Sequence, residues 1–206
     1  MLSKPQLRRK LRQQRNSLSL REQHRREQQL CQRLLSLPEL KNAQHIAAYW
    51  PDNGEISTLS ALKQWQQAGK NVYLPKILPQ RQMQFVPFTQ QTAFLKNHYG
   101  ILEPQSRQRI SPQRLDVVLL PLLAFDQQCN RLGMGGGYYD RAFAFMQQQA
   151  WRKRPYLIGV AHDFQQVDRL SCDPWDVPLT MVVSNNKVIK GAHNRNITLN
   201  KSVSFA

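Results

Sequence analysis

The sequence predicts an α/β fold of three layers, with a mainly parallel sheet covered by helices on both faces, and three observations predict it. Short apolar runs of strand length recur along the chain: Ile46 to Trp50, Val72 to Leu74, Val117 to Leu120 and Tyr156 to Ala161. Segments of helical period separate them, so that strand, loop, helix and strand follow in order between Ile46 and Leu74, which is a βαβ unit. A glycine run, Gly133-Met134-Gly135-Gly136-Gly137, then joins the clearest apolar run to a helical segment.

The N-terminal third reads as a helical pair. Pro5 sits where a first-turn proline is tolerated. Leu7, Leu11 and Leu18 recur at helical spacing among Arg8, Arg9, Arg12 and Arg15. Ser19 with Glu22 three residues on signals the start of a second helix, which carries Leu30, Leu34 and Leu35 and ends at Pro38. The strand Ile46 to Trp50 closes at Pro51, and Asp52, Asn53 and Gly54 form a loop. Ser57 or Thr58 caps a helix bearing Leu59, Leu62 and Trp65, with Gly69 placed to end it. Gln84 to Phe88 is a candidate strand, and residues 89–115 read as irregular, with a turn near Glu103 and Pro104. After the glycine run a helix is expected from about Tyr139 to Gln149. Met181 to Val183 and Val188 to Lys190 predict a hairpin through Asn185 and Asn186. One domain over residues 1–190 is expected, with 191–206 a loose tail.

Composition excludes several classes. The 206 residues are 41% hydrophobic, enough for a sizeable core without staples. Cys31, Cys129 and Cys172 form no CxxC pair and the five histidines form no HExxH, so neither a zinc site nor a disulfide framework is expected. No apolar segment follows the basic start as a signal peptide requires, and no run is long enough to span a bilayer, which points to a cytoplasmic protein. The net charge of +16 favours anionic partners, either nucleic acid or the phosphates and carboxylates of smaller polyanions.

The glycine run carries the chemistry. A bend poor in side chains lets main-chain amides approach an anion closely. At a strand's carboxyl end, opening a helix, it stands where α/β sheets collect ligands. No Lys-Ser or Lys-Thr follows it, so it is not a Walker A loop, and its spacing does not give GxGxxG. Arg131 supplies a fork of donors for phosphate oxygens. Asp140 at the far end can hold hydrated Mg²⁺.

The run Arg131-Leu132-Gly133-Met134-Gly135-Gly136-Gly137-Tyr138-Tyr139-Asp140-Arg141 strongly resembles the signature of the 5-formyltetrahydrofolate cyclo-ligases, as does its lead-in from Pro121 to Asp126. The resemblance extends through Lys4 and Arg8, Tyr49-Trp50-Pro51, Glu55-Ile56-Ser57-Thr58, Val72 to Pro75, Ile101 to Pro104 and Trp175 to Leu179, in the same order. It implies a Rossmann-like domain, expected as a monomer. The implied reaction is closure of 5-formyltetrahydrofolate to 5,10-methenyltetrahydrofolate, driven by ATP with Mg²⁺. It also implies ATP contacts from Lys4, Arg8 and the loop Arg131, Leu132, Gly133, Met134, Gly135, Gly136, Gly137, Tyr138 and Tyr139, with Arg131 and Tyr139 acting in catalysis. Folate contacts are implied for Trp50, Glu55, Met134, Gly135, Gly136, Gly137 and Tyr138, and metal contacts for Asp140 and Asp176. Trp50 and Tyr139 would flank the pterin ring. Taken alone, Glu55 reads better as a first-turn helix acid, and Lys4 and Arg8 better as solvated residues on a basic helix. Some family members carry basic residues where this chain has Met134 and Gly136, which shifts charge neutralisation toward Lys4, Arg8, Arg131 and Mg²⁺. A glutamate tail on the folate would suit the basic surface. The competing reading is a basic nucleic-acid-binding protein on an α/β scaffold. His162 reads as a structural residue.

Overall fold

The computed structural model describes residues 2–148 and 155–191. The expected tail, apart from Gly191, lies outside the described residues.

In chain order the elements are α1 (Lys4–Asn16), α2 (Leu20–Ser36), α3 (Pro38–Lys41), β1 (His45–Ala47), α4 (Leu59–Gln67), β2 (Asn71–Leu78), β3 (Gln82–Pro87), β4 (Phe94–Lys96), β5 (Leu102–Pro104), β6 (Val117–Pro121), β7 (Ala124–Phe125), β8 (Arg131–Leu132), α5 (Tyr138–Phe143), β9 (Tyr156–Ala161), β10 (Met181–Ser184) and β11 (Val188–Lys190). Seven strands form the central sheet in the order β11-β10-β9-β6-β1-β2-β3. The five inner strands run parallel and the two edges, β11 and β3, antiparallel.

Alternation along each strand fills two cores. Ile46, Val72, Leu74, Val117, Leu119 and Ile158 point into one, with Leu30 and Leu34 of α2 and Leu62 and Trp65 of α4. Ala47, Tyr73, Val118, Leu120 and Leu157 point into the other, with Phe143 of α5. Parallel strands buried on both faces need apolar residues at every position, which is why their runs are unbroken in the sequence. A third cluster joins Leu11 of α1 to Ala124, Leu132 and Leu170. The two N-terminal helices thus serve different cores, α2 against the sheet and α1 over the β7–β8 pair.

Three expectations need correction. The strand from Ile46 stops at Ala47, because beyond it Tyr49 turns back to donate its hydroxyl to the Ile56 carbonyl. The helix after the glycine run covers only Tyr138–Phe143 and tightens into a 3₁₀ turn over Ala144–Gln147; Gln149 lies outside the described residues. Residues 89–115 are not all irregular: β4 and β5 pair antiparallel. Glu103 binds this hairpin to β2, accepting from the Ile77 N–H and the Asn97 amide, both at 2.8 Å.

Strand order fixes where a ligand can lie. From β1 the chain winds outward through β2 and β3; from β6 it winds the opposite way through β9 and β10. The crevice between β1 and β6, beyond their carboxyl ends, is the topological switch point. The loop after β1 carries Tyr49, Trp50 and Glu55, and the segment after β6 carries the glycine run.

Candidate active site

The glycine run is held from beneath by Asp126. This fully buried carboxylate accepts from the backbone N–H groups of Gln128, Asn130 and Leu170 and from the Asn130 side chain, at 2.8 to 3.0 Å. The bend that follows demands glycine at particular places. Gly135 and Gly137 have φ of +99° and +64°, a region open to residues without Cβ. At Gly136 an added Cβ would lie 2.7 Å from the Tyr138 ring.

α1 lies along this bend. Lys4 and Arg8, one turn apart, share a face. Lys4 Nζ pairs with Asp173 at 2.9 Å, and Arg8 Nε donates to the Gly133 carbonyl at 2.9 Å. The Arg8 guanidinium stands 3.8 Å from where a Gly135 Cβ would be. Arg8, Arg9 and Arg12 line an open groove along α1 with Gln13, Asn16 and Ser17.

Arg131 donates to the Val177 carbonyl and to Asp140 Oδ1 in a largely buried ion pair. The same oxygen accepts the Val177 N–H at 3.2 Å, so Oδ2 is the Asp140 oxygen left for a cation. Asp176 Oδ2 accepts the Asp173 N–H at 2.9 Å. Among the described residues no group of three or more His, Cys, Asp or Glu side chains converges on a metal position. A hydrated Mg²⁺ that takes most of its oxygens from phosphate and water needs only one or two carboxylates.

Glu55 closes a tight turn in which Asn53 and Gly54 both have positive φ and the Glu55 N–H returns to the Asp52 carbonyl at 2.9 Å. Burial pushes the Glu55 carboxyl up to about 7, against the pull of Arg15. Burial, reinforced by Glu55, also holds the Tyr139 phenol far above its ordinary range. Tyr139 is therefore a neutral hydrogen-bond partner at physiological pH rather than an acid–base group. The Tyr138 hydroxyl meets that of Tyr99, on the β4–β5 turn, at 2.9 Å. Trp50 packs against Phe94 and Phe88, with ring centroids 4.5 and 6.4 Å away. Trp50 belongs with the α2–α4 core and Tyr139 with the α5 core.

Two residues given no role from the sequence belong to this site. Arg15 is fully buried, with Nη1 3.7 Å from Glu55 Oε1. It sits four residues after Leu11 and eight after Leu7, on the apolar face of α1, and that spacing was the available signal. His162, also buried, hydrogen-bonds through Nε2 to the Gly54 carbonyl at 3.1 Å, and burial lowers it to about 4. The ring is neutral, so Nε2 carries the proton and donates.

Fold and site together define an α/β enzyme that gathers a glycine bend, basic residues of an N-terminal helix and a buried acid at one crevice. A family model described as the 5-formyltetrahydrofolate cyclo-ligase family matches residues 1–185. The chain is 38% identical over 179 residues to the 5-formyltetrahydrofolate cyclo-ligase of Haemophilus influenzae, covering 84% of this chain and 93% of the relative. It is 36% identical over 182 residues to that of Escherichia coli K12, covering 86% and 98%. The solved 5,10-methenyltetrahydrofolate synthetase of Aquifex aeolicus superposes with a TM-score of 0.78 at 29% identity, covering 100% of this chain and 97% of that one. That of Mycoplasma pneumoniae superposes with a TM-score of 0.70 at 27% identity, covering 89% and 99%. The chain belongs to the 5-formyltetrahydrofolate cyclo-ligase family.

Proposed function

We propose that this chain is an ATP-dependent ligase that closes 5-formyltetrahydrofolate to 5,10-methenyltetrahydrofolate, releasing ADP and phosphate. The observation that carries the reading is the meeting of Arg8 with Gly133 beside the switch point, because it sets a guanidinium of α1 against the glycine bend, with Lys4 one helical turn away on the same face. A formamide oxygen is a very poor leaving group. Attack of that oxygen on the γ-phosphorus forms an O–P bond and breaks the bond to ADP, giving an imidate-like phosphate. The second folate nitrogen then attacks the activated carbon, loses its proton, and phosphate leaves. The protein contributes position and charge.

Lys4, Arg8 and the main chain from Arg131 to Tyr139 hold the triphosphate. Glu55 accepts two hydrogen bonds from the aminopyrimidinone edge of the pterin. Trp50 and Tyr138 with the bend from Met134 to Gly137 complete the folate side, and the neutral Tyr139 donates a hydrogen bond beside the reacting oxygen. Arg131 acts through its pairing with Asp140, which shapes the bend. Asp140 and Asp176 would hold Mg²⁺, whose chemistry is to offset phosphate charge. Residues 1–190 act as one domain, as a monomer in the cytoplasm. No described helix is long and apolar enough to cross a membrane.

The groove bearing Arg8, Arg9 and Arg12 offers a path for a polyglutamate tail. Equal affinity for mono- and polyglutamyl substrate would remove that part. The overall reading is tested by mixing the protein with 5-formyltetrahydrofolate and Mg-ATP and following the near-ultraviolet absorbance of the methenyl product. Absence of an ATP-dependent rise would reject it. The basic charge alone favours nucleic acid no more than a folate polyanion.

A further inference from the structure

Arg15 stands out among the charged residues. Its side chain is fully buried, yet Nε, Nη1 and Nη2 have no hydrogen-bond partner. A buried guanidinium with no hydrogen bond is costly, and the charge nearest to offset that cost is the Glu55 carboxylate, 3.7 Å from Nη1. Its main chain also packs on the turn that carries Glu55: a Cβ on Gly54 would lie 2.9 Å from the Arg15 carbonyl carbon and oxygen. Helix α1 therefore sets both the place of the Glu55 turn and the charge beside it.

The geometry points to Arg15 as a positioning residue: its buried guanidinium keeps the Glu55 carboxylate charged and able to accept from an aminopyrimidinone ligand, and so sets the pH range over which folate binds. This rests on the reading of Glu55 as the folate-contacting acid.

The groups around the pair come from five places. α1 adds Arg12, which opposes the charge on Arg15. The loop after β1 supplies Asp52 and Tyr49; the Asp52 N–H donates to Glu55 Oε2 at 3.2 Å, while the Asp52 carboxylate repels it. α2 contributes Glu27, which acts on Tyr49, and Arg26, which acts on His162. α5 brings Tyr139, itself influenced by Arg131. The end of β9 brings His162, which is neutral near pH 7. Arg15 is the strongest of the charges acting on Glu55, and it opposes the effect of burial.

The sign follows from these neighbours. Glu55 must be ionised to accept both hydrogen bonds, so folate affinity falls as pH drops through about 7. Removing Arg15 removes the opposing attraction. The midpoint then moves to higher pH, by about one unit or more for a carboxylate that loses an arginine at this range.

The experiment measures 5-formyltetrahydrofolate binding without ATP, by calorimetry from pH 5.5 to 9, for the wild type, Arg15→Met, Arg15→Lys and Glu55→Gln. A parallel ¹³C NMR titration follows the Glu55 carboxyl. Arg15→Met should bind about tenfold more weakly at pH 7 and recover toward pH 9, with the carboxyl midpoint displaced the same way. Arg15→Lys should restore most of the wild-type profile. If Arg15→Met unfolds, Arg15→Lys against Arg15→Gln gives the same comparison. An unchanged carboxyl midpoint on removing the positive charge overturns the role of Arg15. The underlying reading of Glu55 fails differently: Glu55→Gln would then bind folate as the wild type does at pH 8.

Discussion

Arg8 and Gly133 are joined across 125 positions of sequence by a hydrogen bond of 2.9 Å from Nε to the carbonyl oxygen. Nε is thereby occupied, and the terminal nitrogens remain available for phosphate. Arg8→Ala should lower kcat/KM for ATP by about 10- to 100-fold, the range for losing a charge-assisted contact. Arg8→Lys should recover little of it, since an ammonium cannot bond the carbonyl and a phosphate in one plane. Steady-state kinetics with varied ATP checks both.

Arg131 and Asp140 form an ion pair whose side chains are 9% and 25% exposed. Asp140→Ala leaves the Arg131 guanidinium with the Val177 carbonyl alone. A loss of about 3 kcal/mol of stability is expected. The double variant Arg131→Met with Asp140→Leu should lose less than the single one, because no uncompensated charge remains. Urea unfolding of the three proteins decides it.

Neighbouring glycines of the bend should respond differently to the same change. Gly136→Ala drives a methyl against the half-exposed Tyr138 ring, which must swing aside, so it should cost no more than about 1 kcal/mol while disturbing the Tyr138–Tyr99 contact. Gly133→Ala meets no protein atom within 4 Å, so its unfolding midpoint should stay within about a degree of the wild type. If the space ahead of Gly133 belongs to the triphosphate, the same variant should bind ATP more weakly. Thermal unfolding with and without nucleotide separates the two effects.

His162 makes the fold sensitive to acid. Its folded value, about 4, lies below the ordinary 6.5. The stability of the neutral ring is present above pH 6.5 and is lost as pH falls toward 4, since the unfolded chain takes the proton first. At pH 5 the contribution lost is about 2 kcal/mol. Denaturation of wild type and His162→Gln at pH 8 and pH 5 should show the difference between them shrinking by roughly that amount.

Much of the fold was legible because its signals are local. Parallel strands buried on both faces announce themselves as unbroken apolar runs, and Val117 to Leu120 is the clearest. The glycine bend was legible because positive φ and close ring contact leave few alternatives to glycine. The β4–β5 hairpin was not, since three-residue strands carry too little alternation to show a period. The α5 helix stops short of its sequence pattern, because Ala142 to Met146 continues an apolar helical period past the point where the chain tightens. Phe143 and Phe145 instead pack with centroids 6.0 Å apart across a tightened turn. Arg15 was hidden by its company: among Arg8, Arg9 and Arg12, composition cannot distinguish a solvated arginine from a buried one. Its register with Leu7 and Leu11 can, once α1 is known to be buried on that side.

Lys4, Arg8 and Arg15 reach three separate segments from a single rod of thirteen residues. Sliding that rod by one residue shifts it about 1.5 Å and rotates it about 100°. Every one of the three grips would then let go together. The helix Lys4–Asn16 should therefore dock or release as one unit, and one proline placed midway along it should abolish nucleotide and folate recognition in the same stroke.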